Sequence, residues 1–259
     1  VAALQTAGHV VAMTGDGVND VLALKQADLG LAMGNGSAAT KSVANLILID
    51  GKFSTLPLLL AEGRRVVANV ERVSRLFLTK TVWAFTLALG FGLAMWSYPY
   101  LPRQLTVMDA FAIGIPAFAL ALLPNADRYR PGFLKRALKF VIPSGLIIGG
   151  AIIALTAFMQ AGTWSSTQSH TGTMVLLSIT SLWVLVLHAR PLRGIRLVIL
   201  AGMLALCIAT FAIAPLAEVL GFTVLEFDKL GWVLALAVAA NALVSITQAL
   251  VGKGATKLV

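Results

Sequence analysis

The chain has 259 residues, of which 58% are hydrophobic and 12% charged, with a formal charge of +9 and a mean hydropathy of +0.88. Soluble domains carry roughly 25% charged residues, so a wholly soluble protein is excluded. The positive charge gathers in short connections between apolar runs, which speaks for a lipid bilayer as partner and against nucleic acid.

Taken from the start, Val1-Ala2-Ala3-Leu4 shows neither a Met nor a basic stretch leading into an apolar one, so the chain is expected to begin inside a domain. Residues 9–13 read as a short buried strand ending in Thr14-Gly15-Asp16-Gly17-Val18-Asn19-Asp20. A helix is expected over about 21–27 with Asp20 as its N-cap. A second strand at 29–33 leads into Gly34-Asn35-Gly36-Ser37, a short helix reaches Ala44, and a third strand covers 46–49. Strand–helix–strand alternation with glycines at the strand ends predicts a parallel α/β sheet, in which ligands bind beyond the carboxyl ends of the strands.

Asp16 and Asp20 stand four residues apart at such an end. That pair suits one divalent ion, since Mg²⁺ takes one or two carboxylates together with phosphate and water. Gly15 and Gly17 let the backbone approach a ligand closely. An ordinary Asp-Gly turn is the competing reading, and the Gly34–Ser37 stretch is a weak signal by itself. One cysteine and three scattered histidines leave no Cys/His metal site; Cys207, inside an apolar run, is read as packing.

From residue 76 onward the sequence becomes a series of long apolar runs. Six are long enough to cross about 30 Å of hydrocarbon: residues 76–97, 105–123, 140–160, 173–188, 196–216 and 230–251. The fourth is the shortest and is diluted by Ser178, Thr180 and Ser181. The predicted fold is thus α/β followed by an all-α membrane domain. Residues 1–55 form the α/β part, 56–75 a cytoplasmic helical linker, 76–251 the spans and 252–259 a tail.

Basic residues before the first span (Arg64, Arg65, Arg72, Arg75) alternate with sparse ones beyond it, then recur as Arg128, Arg130, Lys135, Arg136 and Lys139. Arg190, Arg193 and Arg196 form the next group, and Lys253 and Lys257 close the chain. This bias places both ends on the cytoplasmic side of a multi-pass protein. Within the spans, Lys80 and Asp109 either snorkel to opposite surfaces or form a buried pair or two walls of a transport pathway. Pro116, in Gly114-Ile115-Pro116-Ala117, is expected to free carbonyls near Ala112 and Ile113, as broken helices do in transporters. Asn241, Ser245 and Gln248 share one helical face and are read as interhelical hydrogen-bonding groups.

Residues 13–20, continued by Ala23-Leu24-Lys25, Ala27-Asp28 and Ala32-Met33-Gly34, resemble the hinge motif of the P-type ATPases. The resemblance implies the end of a haloacid-dehalogenase-like phosphorylation domain. It gives Asp16 the Mg²⁺, Asp20 a supporting role and Asn19 a place in ordering the phosphoryl site, with ATP bound mainly elsewhere. The family's phosphorylated aspartate, in an Asp-Lys-Thr-Gly-Thr motif, is nowhere in this sequence. The resemblance therefore implies a C-terminal piece that needs the preceding part of the same pump for turnover. Six spans in this position resemble the ion, proton and lipid pumps.

Glu62-Gly63-Arg64-Arg65, Phe77-Leu78-Thr79-Lys80-Thr81, Gly114-Ile115-Pro116-Ala117-Phe118 and Tyr129-Arg130-Pro131-Gly132-Phe133 are most similar to the mycobacterial-type cation-transporting ATPase E group. That group is associated with calcium and implies a plasma-membrane location. Threading onto reticulum-type calcium pumps puts Thr81 and Ala84 in one site-forming span and Asp109, Ala112 and Ile113 in the next, with Lys80 beside them as a positive charge. The resemblance thus makes Lys80, Thr81, Asp109 and Pro116 the transport-pathway candidates for a cation, with Ca²⁺ foremost. A lipid- or polyamine-moving ATPase, or a non-enzymatic membrane protein, are the alternatives.

Overall fold

The computed structural model describes residues 1–123 and 132–255, with side chains to Leu250. The expectations for Arg128, Arg130, the Tyr129–Pro131 part of the motif above and Lys257 lie outside the described residues. The chain divides into two compact units, Val1–Arg64 and Arg65–Val259.

In the first unit, a short helix α1 (Ala2–Thr6) precedes strand β1 (Ala12–Gly15), a single 3₁₀ turn (Val18–Asp20) and helix α2 (Val21–Gln26). Strand β2 (Leu29–Met33), helix α3 (Ala38–Val43) and strand β3 (Leu46–Leu48) follow. The three strands form one parallel sheet in the order β1-β2-β3. Thr14 lies opposite Leu31, and Leu31 opposite Leu46. Leu31 and Ala32 on the central strand are fully buried and pack in a core with Leu24 and Leu48. The first strand starts at Ala12, later than the apolar run suggests. Val10 stays 88% exposed, while the amide of Val11 donates to the Asp28 carboxylate at 2.8 Å. That side-chain contact takes the place of a ladder bond and so delays the strand.

The second unit is helical, and six of its helices are long and apolar enough to span a membrane. Helix α4 (Leu56–Ala94) runs unbroken through the expected linker and first span, because residues 56–75 contain no helix-stopping signal beyond the single Gly63. The second span is helix α5 (Pro102–Asp109), a π-helical stretch (Ala110–Gly114) and helix α6 (Ile115–Ala121). The widened turn directly precedes Pro116, which lacks the donor that a regular α-helix would need there. Helices α7 (Phe133–Ala161), α8 (Ser166–Ala189), α9 (Ile195–Ala212), the short α10 (Ala214–Leu220) and α11 (Phe227–Ala255) complete the unit.

Helix α8, diluted in sequence by hydroxyls, is the central one: 72% of its most apolar stretch is buried, against 22% for α9 and for α11. Ser178 offsets its desolvation by donating to the Met174 carbonyl at 2.6 Å and Thr180 by donating to the Leu176 carbonyl at 2.9 Å, while the buried Thr173 hydroxyl has no partner among the described residues. Helix α7 meets α4 along Gly145 and Gly149. A Cβ on Gly145 would fall 2.5 Å from Val82 Cβ, and one on Gly149 2.7 Å from Thr86 Cβ. Such small-xxx-small spacing lets two helices approach to backbone contact, where dispersion replaces the hydrophobic effect that lipid removes. Interhelical polar contacts tie the rest. Trp183 Nε1 donates to Ser245 Oγ at 2.8 Å, the bond type expected of Ser245. The fully buried Gln104 caps α10 by donating to the Leu220 carbonyl at 2.9 Å.

Candidate functional site

The motif loop leaves the carboxyl end of β1 and is held on two sides. From within, Asp20 is not the side-chain cap of α2 that its position suggests. Its Oδ2 instead reaches back to accept the amides of Asp16 and Gly17, each at 3.1 Å. The carboxylate lies so close to Gly15 that a Cβ there would sit 2.6 Å from Asp20 Cβ and 2.8 Å from its Oδ2. Gly15 is thus required by packing against Asp20.

From outside, the turn after β2 supports the same loop. Ser37 N donates to the Asp16 carbonyl at 2.8 Å. Thr40, fully buried, directs its hydroxyl between the carbonyls of Asp16 at 3.3 Å and Gly17 at 3.2 Å. A Cβ on Gly36 would lie 2.9 Å from the Asp16 carbonyl oxygen. The Gly34–Ser37 stretch, uninformative alone, is therefore the outer wall of the motif loop. Ser37 and Thr40 were not among the residues singled out from sequence. The available signal was Ser37 at the N-cap of α3, where its Oγ accepts the amide of Thr40 at 3.1 Å.

With the backbone fixed on both sides, the side chains of Asp16 and Asn19 are exposed. Neither makes a hydrogen bond or ion pair among the described residues. No cluster of three His, Cys, Asp or Glu side chains that could enclose a metal exists among the described residues. The donor set here is one free carboxylate with a second committed to amides. That fits Mg²⁺ held jointly with phosphate, water and a further protein oxygen, and does not fit a self-sufficient metal cage.

The second place of interest lies in the membrane unit. Lys80 of α4 pairs with Asp109, the last residue of α5, through Nζ and Oδ2. Of the two sequence readings, snorkelling apart and pairing, the structure has the pair. The π-helical stretch begins at the next residue. Beside the pair is a cavity of about 10 Å³, room for about one water, lined by Lys80, Thr79, Ala112, Ile113 and Ser181 among others. Pro116 is buried just beyond it in sequence. Thr81 is exposed and donates to the Phe77 carbonyl of its own helix at 3.0 Å, so it does not join the pair.

Known proteins resemble the chain over most of its length. The haloacid dehalogenase-like hydrolase family model matches residues 2–52, the unit that carries the Asp16 loop. The calcium-transporting ATPase CtpE of Mycolicibacterium smegmatis is 45% identical over 230 residues, which is 83% of this chain. The chain is homologous to part of a P-type cation-transporting ATPase. The protein of the same name from Mycobacterium tuberculosis is 46% identical over 75% of the chain. A calcium-transporting ATPase of Bacillus subtilis is 36% identical over 59% of it. The chain spans less than a third of each of these relatives, at 29%, 26% and 18% of their lengths.

Proposed function

We propose that the chain supplies the Mg²⁺-binding hinge loop and the last six spans of an ATP-driven cation pump of the cell membrane, with Ca²⁺ as cargo and both ends of the chain in the cytoplasm. The observation that carries this reading is the free Asp16 carboxylate, held at the end of β1 by Asp20 within and Thr40 without. The calcium assignment rests on the names of the relatives. Orientation rests on the alternation of Lys and Arg between connections.

In this reading Asp16 binds the ion directly, Asp20 and Gly15 fix the loop, Gly17 leaves space at its tip, and Asn19 orders the phosphoryl group. Bound Mg²⁺ would neutralise phosphate charge as the phosphoryl group moves. The nucleophile and most contacts to ATP come from the preceding part of the same protein, the partner this unit requires. The exposed apolar residues Val10 and Ile49, at 88% and 90% exposure beside the outer strands, support such a partner.

The test is phosphorylation of the full-length protein from ATP in isolated membranes, with Ca²⁺, Mn²⁺, protons or phospholipids as activators. Asp16→Asn is expected to abolish Mg²⁺-dependent phosphoenzyme, and a normal level in that variant refutes the role of Asp16. Activation by phospholipid with no response to any cation refutes the cargo assignment and favours a lipid pump.

A further inference from the structure

Ser144 of α7 meets Thr247 of α11 while Phe158 meets Trp232, so these two helices run antiparallel. Ala154 stands one turn from Phe158, and Ala235 and Ala239 stand one and two turns from Trp232. Each helix therefore sets one ring and small residues on the same face. The rings meet with centroids 5.5 Å apart. Beside them the alanines leave an apolar groove of about 350 Å³ between the helices.

Both walls belong to helices long and apolar enough to span a membrane, so the groove opens to hydrocarbon. Its side chains are alanine, leucine and the two rings, and the Trp232 indole N–H is their sole hydrogen-bonding group. A buried water needs two to four polar partners, so water does not fill it. A further helix fits poorly. With side chains it is about 10 Å across and rises about 5.4 Å per turn, so one turn takes roughly 420 Å³ and exceeds the whole groove. A single hydrocarbon chain does fit. One water has a share of about 30 Å³ in the liquid and a methylene is of similar size, so the groove has room for roughly a dozen methylenes. The gain is dispersion, since an unfilled space leaves the lining without partner atoms.

The ring end adds a polar contact. Trp232 lies in the second turn of α11, and its exposed indole makes no hydrogen bond among the described residues. A Trp near the end of a span keeps its ring in hydrocarbon and its N–H among the headgroups. At that depth a phospholipid presents the ester carbonyl that joins each chain to glycerol, which is an acceptor. We propose that this groove is a phospholipid site: one acyl chain lies between α7 and α11 over the alanines, and its ester carbonyl accepts from Trp232. The bound chain then forms part of the contact between the two helices. Neither wall includes the Asp16 loop or the Lys80–Asp109 pair, so the inference stands whatever the cargo.

The experiment places the full-length protein in phosphatidylcholine vesicles that contain a small share of the same lipid with a photoreactive diazirine midway along one chain. After irradiation, labelled peptides are identified by mass spectrometry. Peptides covering residues 154–158 and 232–239 are expected to carry several-fold more label than the mean of the other spanning helices. Ala235→Leu combined with Ala239→Leu fills the groove, and both positions are exposed, so the added bulk stays out of the core; label at both walls should fall to that mean. Trp232→Phe keeps a ring, removes the N–H and should lower the label in part; no change there overturns the ester contact. Equal labelling of all spanning helices in the unmodified protein overturns the inference and leaves only unselective lipid contact. Label missing from both walls overturns it as well, and shows the groove to be covered by protein. Both of these readings come from the unmodified protein and hold even if the double variant fails to fold.

Discussion

Replacing Thr40 with Val removes one hydroxyl from the outer wall of the motif loop and keeps the side-chain shape. The magnitude follows from what each former partner retains. The Asp16 carbonyl keeps the amide of Ser37 at 2.8 Å, and the Gly17 carbonyl keeps the amide of Asp20 at 3.1 Å. Neither oxygen is orphaned, so the full penalty of about 1–3 kcal/mol for an unsatisfied buried group does not apply. The loss is that of ordinary net hydrogen bonds, about 1–1.5 kcal/mol. The two bonds share one hydroxyl and are longer than a typical O–H···O bond, which keeps the value at one bond's worth. The readout is amide hydrogen exchange in peptides covering residues 14–20, measured on the detergent-solubilised protein. If the loop opens locally, exchange should accelerate roughly tenfold for about 1.4 kcal/mol. Thr40→Ser should restore most of the protection. Unchanged exchange in Thr40→Val, or acceleration spread evenly over the whole first unit, would refute a local clamp.

Gly145→Leu should separate α7 from α4, since even its Cβ would overlap Val82; thermal unfolding in detergent should drop by several degrees, and Gly150→Leu, whose Cβ meets nothing within 4 Å, serves as the control. The Val11 amide and, secondarily, Gln5 hold the Asp28 carboxyl below its ordinary range. A lowered folded-state value means that Asp28 contributes stability above its unfolded value of about 4 and loses it as pH falls through the folded one. Asp28→Asn should therefore flatten the acid side of a stability–pH curve of the first unit below about pH 4 and leave its slope at neutral pH unchanged.

The motif loop was legible because its chemistry is contiguous: Asp16, its glycines and Asp20 fall within six residues. The parallel sheet followed from strand–helix alternation, and six spans from length and apolarity. What stayed hidden was contact over long sequence separation. Thr40 meets Asp16 across 24 residues, Asn69 donates to the Ala121 carbonyl across 52, and Gln104 meets Leu220 across 116. No periodicity encodes such meetings. Lys80 and Asp109, 29 residues apart, were visible as expensive charges, but the choice between snorkelling and pairing depends on helix rotation and tilt, which neighbouring helices set. Asp20 stands at the N-cap position of α2 as expected, but its side chain does not cap that helix, for a local reason. The same residue type can cap the helix ahead or accept amides behind, and the close approach allowed at Gly15 favours the second.

Local bonding accounts for many of the hydroxyls in the spans. Thr79, Thr81, Thr86, Thr156, Thr171, Ser178 and Thr180 each donate to a carbonyl one turn back on their own helix. A hydroxyl satisfied in this way needs no ligand to justify its place in hydrocarbon. Lys80 and Asp109 have no such local partner and depend on each other across two helices. A hard divalent cation seeks six to eight oxygens, whereas Asp109 offers two and the adjoining π-helical turn can add carbonyls. On the proposed calcium-pump reading, a site built on Asp109 would have to draw its remaining oxygens from elsewhere in the longer protein. Transfer of this membrane unit alone into vesicles should leave Asp109 paired with Lys80 at any Ca²⁺ concentration.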